Sequence, residues 1–95
     1  MKKLENQEQE LCRDYLRDTI LPRLQEMQRD LFGNDSLAIS VDVGPSGRFV
    51  TAHASLMDDV DVLESASLYL SVYDSYEWIE VECKRLTDFI KKHTA

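Results

Sequence analysis

Between positions 36 and 73 apolar side chains recur at every second residue, and this alternation limits the fold more than any other feature of the chain. A period of two belongs to a half-buried strand, because successive side chains leave a strand on opposite faces. Over residues 36–43, Leu37, Ile39, Val41 and Val43 alternate with Ala38, Ser40 and Asp42. Gly44-Pro45-Ser46-Gly47 is a turn signal. From residue 48 to about 57, Val50, Ala52, Ala54 and Leu56 alternate with Phe49, Thr51, His53, Ser55 and Met57. Ala66, Leu68, Leu70 and Val72 then alternate with Ser65, Ser67, Tyr69, Ser71 and Tyr73. A four-residue turn predicts the pairs Val43–Arg48, Val41–Val50, Ile39–Ala52 and Leu37–Ala54, which gathers the aliphatic residues on one face. Residues 58–64 fit either a loop or an extension of the neighbouring strands. A helix over 59–72 is the rival reading, and the alternation of 66–72 opposes it.

The flanking segments follow a helical period. Cys12, Leu16, Ile20, Leu24, Met27 and Leu31 are spaced by three or four residues, widened by Leu11, Tyr15 and Leu21. Gly33 stands where a left-handed helix cap is wanted. Pro22 interrupts the stripe, so the spacing predicts one helix kinked there, or two that meet there. At 1.5 Å per residue such a helix, about 28 residues long, outruns the strands it covers. Its N-terminal half must overhang, bend back, or meet another molecule, and Leu4, Leu11 and Tyr15 are the residues a homodimer would use. Asp74-Ser75-Tyr76-Glu77 reads as a capping box. The second helix carries Ile79, Cys83, Leu86 and Ile90, with Lys91, Lys92 and His93 at the negative end of its dipole. Trp78, Phe89, Tyr15, Met27 and Phe32 sit at helical spacing and read as core, while Val81 falls off the stripe.

The expected architecture is therefore an α+β two-layer sandwich in the order α-β-β-β-α. Its sheet is a three-stranded antiparallel meander with both helices on one face, in a single domain spanning 1–95. The order is similar to that of double-stranded RNA-binding domains. Those carry basic residues at the start of the second helix, where this chain has Asp74, Glu77, Glu80 and Glu82.

Charge narrows the function. The formal net charge is −7 over 95 residues, and residues 33–74 hold seven acids against Arg48 alone. Such a field repels phosphate backbones and anionic lipid, so neither nucleic acid nor a membrane is the expected partner. No apolar stretch is long enough to span a bilayer, and no apolar run follows the lysines of Met1-Lys2-Lys3 as a secretory signal requires. Cytoplasmic localisation with reduced thiols is the expectation. Asp58, Asp59, Asp61 and Glu64 lack the ligand spacing of a calcium loop, and Cys12 and Cys83 fall on core faces, so no metal or other cofactor is expected. No nucleophile elbow, phosphate-binding loop, CxxC or HExxH occurs. The expected function is a non-catalytic, acidic protein-interaction module, an adaptor, small regulator or inhibitor. Its partner surface would be basic and would meet Asp58, Asp59, Asp61 and Glu64, with Phe49, His53, Tyr69 and Tyr73 on the open sheet face. Two alternatives stand beside it: a small-ligand or enzymatic site around His53, and an acidic mimic of nucleic acid.

Overall fold

The computed structural model describes residues 7–94. Helix α1 (Gln7–Tyr15) runs through a π-helical turn (Leu16–Ile20) into α2 (Leu21–Asp30). Strands β1 (Leu37–Val43), β2 (Phe49–Asp58) and β3 (Asp61–Ser71) follow, and α3 (Tyr76–Thr94) ends the described chain. The strands form one antiparallel sheet in the order β1-β2-β3. The α+β architecture and the meander are those the alternation predicts.

The core joins the two layers. Cys12, Leu16, Ile20 and Leu24 from the first helical run pack with Val50, Ala52, Ala54, Leu68, Leu70 and Val72 of the sheet side and Ile79, Cys83 and Leu86 of α3. These sheet residues are the even-numbered set on β2, on β3 and just beyond it, so one face of the sheet is dry. The opposite face carries the exposed residues Ala38, Ser40, Asp42, His53, Ser67, Tyr69 and Tyr73.

The π turn explains how Pro22 is tolerated. Four-residue steps overshoot an α-helical turn by about 40° each, so Cys12, Leu16, Ile20 and Leu24 would drift by about 120° along a regular helix. All four are nevertheless buried. The π turn takes up one extra residue, with Leu21 N–H donating to Leu16 C=O, and returns the stripe to the core. Pro22 then falls in the first turn of α2, where a missing N–H is harmless. Gly33 adopts φ +81 after the helix, and Asn34 Oδ1 accepts from the N–H groups of Ser36 and Leu37 at 2.8 Å, which directs the chain into β1.

Three sequence expectations are corrected. The β1–β2 register is displaced by two residues: Val43 pairs with Val50, Val41 with Ala52, Ile39 with Ala54 and Leu37 with Leu56. Gly44 N–H donates to Phe49 C=O, so the turn closes on Gly44–Phe49 instead of Val43–Arg48. Because the displacement is even, every side chain keeps its face. The α3 cap is Ser75, whose Oγ accepts from Trp78 N–H at 3.1 Å, while Asp74 turns back to accept from Ser71 N–H at 2.8 Å. Phe32 and Trp78 are not core: Phe32 is 92% exposed and Trp78 half exposed. Phe32 follows the last helical turn, so helical spacing no longer sets its direction.

Candidate functional site: the β2–β3 hairpin tip

Residues 58–64 are the far end of a hairpin. β2 pairs with β3 as far as Asp58–Asp61, whereas β1 reaches along β2 only to Leu56. The last pairs of the hairpin therefore lie beyond the strand that flanks the rest of β2. A register irregularity between Leu56 and Met57 shifts pairing from Leu56–Glu64 to Met57–Val62 and leaves Leu63 as the extra residue.

Several local preferences are broken together there. Asp59 takes a left-handed φ of 57, which a two-residue hairpin loop requires and which glycine or asparagine usually supplies. Asp58 and Asp61 face each other across the strands, where like charges repel. Val60, Val62 and Leu63 are 81%, 57% and 59% exposed. Aliphatic side chains set among carboxylates and held in water gain nothing for the isolated fold. At the base of the tip the Glu64 carboxylate lies 3.6 Å from Lys92 Nζ and 2.8 Å from His93 Nε2 at the end of α3.

Of the acids expected to act together, Asp58, Asp59 and Asp61 crowd the loop, while Glu64 is turned toward α3. Val60, Val62 and Leu63 are the residues sequence reasoning missed. The signal was present: three aliphatic residues interleaved with four acids, in the one stretch that kept no clear period. Among the described residues no group of three or more His, Cys, Asp or Glu side chains is placed to hold a metal ion. No helix among them is long and apolar enough to cross a membrane.

The open sheet face is arranged differently from the hairpin tip. Tyr69 lies opposite Thr51 and packs its ring against Phe49 at 5.4 Å between centroids. His53 sits between Ser40 and Ser67 on the neighbouring strands, and Arg48 approaches the Tyr73 hydroxyl at 3.5 Å. The structure thus separates His53 from Tyr73 and brings Phe49 to Tyr69.

Leu4 lies outside the described residues. Leu11 is exposed and Tyr15 is engaged within the chain, its ring 4.8 Å from that of Tyr76 and its hydroxyl donating to Glu80. Burial first, and the Glu80 carboxylate second, push the Tyr15 phenol up to about 12. Arg23 Nη1 donates to the same carboxylate at 2.9 Å, and these hydrogen bonds, that of Arg23 foremost, hold Glu80 below its ordinary range. Tyr15 and Arg23 thus fasten the middle of the first helical run to α3. Burial raises both thiols, Cys83 to about 11, so neither is a ready nucleophile. No known protein family, curated protein or solved structure matches the chain.

Proposed function

We propose that this protein is a non-catalytic interaction module that presents the β2–β3 hairpin tip to a protein partner. The observation that carries the reading is the exposure of Val60, Val62 and Leu63 on a hairpin end that only Met57 and the acids accompany. The partner implied is a protein with an apolar pocket rimmed by lysine or arginine. The aliphatic residues would supply affinity by leaving water, and Asp58, Asp59 and Asp61 would supply orientation and on-rate. The net charge of −7 favours the same class of partner by long-range steering. A site on the open face around His53 has less support, since the Phe49–Tyr69 pair fills the neighbouring surface and the His53 ring makes no hydrogen bond to Ser40 or Ser67, the residues that flank it among those described.

The test is affinity capture with quantitative mass spectrometry, using the wild type, a Val60→Ser/Leu63→Ser variant and an Asp58→Lys/Asp61→Lys variant as parallel baits. All four positions are exposed, so the fold should survive in each bait. A protein held by the wild type and lost from both variants is the expected result. Equal recovery on all three baits would refute the hairpin as the docking element.

A further inference from the structure

The two edges of the sheet are not equivalent. Gly44 N–H bonds Phe49 C=O, and Met57 N–H bonds Ser36 C=O. In an antiparallel ladder bonded pairs alternate with unbonded ones, so the even residues Ala38, Ser40 and Asp42 turn their backbone groups toward β2. The odd residues turn theirs outward. Leu37 N–H is taken by Asn34. The N–H and C=O groups of Ile39, Val41 and Val43 have no partner among the described residues.

The same parity on β3 turns Ser65, Ser67, Tyr69 and Ser71 outward, and three of their backbone groups meet side chains. Arg85 Nη2 donates to Ser67 C=O, Asp74 accepts from Ser71 N–H, and Cys12 Sγ approaches Ser71 C=O at 3.8 Å. Side chains from α1, α3 and the turn between β3 and α3 thus cover part of the β3 edge. β1 has no lysine, proline or bulge to blunt its own edge.

We propose that β1 pairs with β1 of a second copy of this chain, antiparallel about a two-fold axis at Ser40, giving a continuous six-stranded sheet. The inference stands on the sheet edge and does not depend on the hairpin-tip reading. An outward row of donors and acceptors selects an extended strand as its occupant. The two-fold pairing uses the β1 edge of both copies and is closed at that seam, while the β3 edges left at the ends of the six-stranded sheet are partly covered by side chains.

The register follows from the strand itself. β1 is seven residues long and Ser40 is its middle, so this alignment pairs every residue. Ile39 then bonds with Val41 of the second copy, which matches the outward parity. Leu37 lies opposite Val43, extending the aliphatic face to a side chain that is 53% exposed in one copy. Asp42 lies opposite Ala38 and not opposite its own counterpart, which avoids like-charge repulsion. Asp35 comes alongside the Pro45–Gly47 turn of the second copy, where Arg13 and Arg17 line the adjoining hollow.

Sedimentation of the full chain over a range of concentrations, together with two variants at Ser40, tests the proposal. Ser40 is exposed on the open face, so neither substitution disturbs the core. Ser40→Lys sets two ammonium groups against each other at the axis and should weaken the dimer by about tenfold or more, with an unchanged circular dichroism spectrum. Ser40→Cys places two thiols across an unbonded pair, within reach of a disulfide, and should give a cross-linked dimer under mild oxidation. A dimeric wild type with both variant effects supports the proposal. A wild type that stays monomeric, a dimer indifferent to Ser40→Lys, or no cross-link through residue 40 overturns it.

Discussion

Deleting Thr19 tests the account of the first helical run most directly. Thr19 lies in the π turn that separates Leu16 from Ile20. Without it the steps from Cys12 to Leu24 become four, three and four, which makes three α-helical turns to within about 20°. The helix can then run as a regular α-helix and keep all four side chains in the core, so no apolar burial need be lost. What changes is Pro22. It moves from the first turn after a π segment into the interior of an α-helix, where the missing hydrogen bond and the ring clash cost about 3 kcal/mol. For a domain of this size that is a fall in Tm of roughly 12–24 °C. Pro22→Ala in the full-length chain should change stability far less, because the stripe spacing still demands the extra residue in the turn. Combining the deletion with Pro22→Ala should recover most of the loss. Urea unfolding followed by far-UV circular dichroism, over the four members of this cycle, measures the coupling. If the deletion costs the same with and without the proline, the π turn is not what accommodates Pro22 and the reasoning fails.

Three further predictions concern single sites. Glu80 has a folded pKa below its usual 4.5, so its contribution to stability is present above that pH and is lost as pH falls through the lower folded value. Since Arg23 and Glu80 are both nearly half exposed, Glu80→Gln should remove less than about 1 kcal/mol at neutral pH and flatten the acid limb of a pH–stability curve; an unchanged acid limb would count against the clamp. At the hairpin loop, Asp59→Gly should raise stability by up to about 1 kcal/mol and Asp59→Val should lower it, because only the former relieves the left-handed backbone; thermal unfolding that ranks them the other way contradicts the loop geometry. Cys12 and Cys83 are buried with raised pKa values, so native protein should resist alkylation at neutral pH and react on unfolding. Rapid labelling of the folded chain would contradict their burial.

The alternation of Leu37, Ile39, Val41, Leu68 and Leu70 determined strands, face and layer order by itself, because a period of two admits only one dry side. The same rule explains why a register displaced by two left the face assignment intact: parity is written in the side chains, whereas the closing pair of the turn depends on Ser46 and Gly47 adopting left-handed backbone. Steps of four residues in succession from Cys12 to Leu24 likewise encode an underwound turn, but only a sheet on one side turns that spacing into a requirement. The capping role passed from Asp74 to Ser75 because Asp74 was needed by the outward N–H of Ser71, a partner that only the finished sheet supplies. The hairpin end was the least legible part. Whether Val60, Val62 and Leu63 are buried or bare depends on how far β1 and the helices extend over β2 and β3, which is a matter of relative element length and placement and not of local composition.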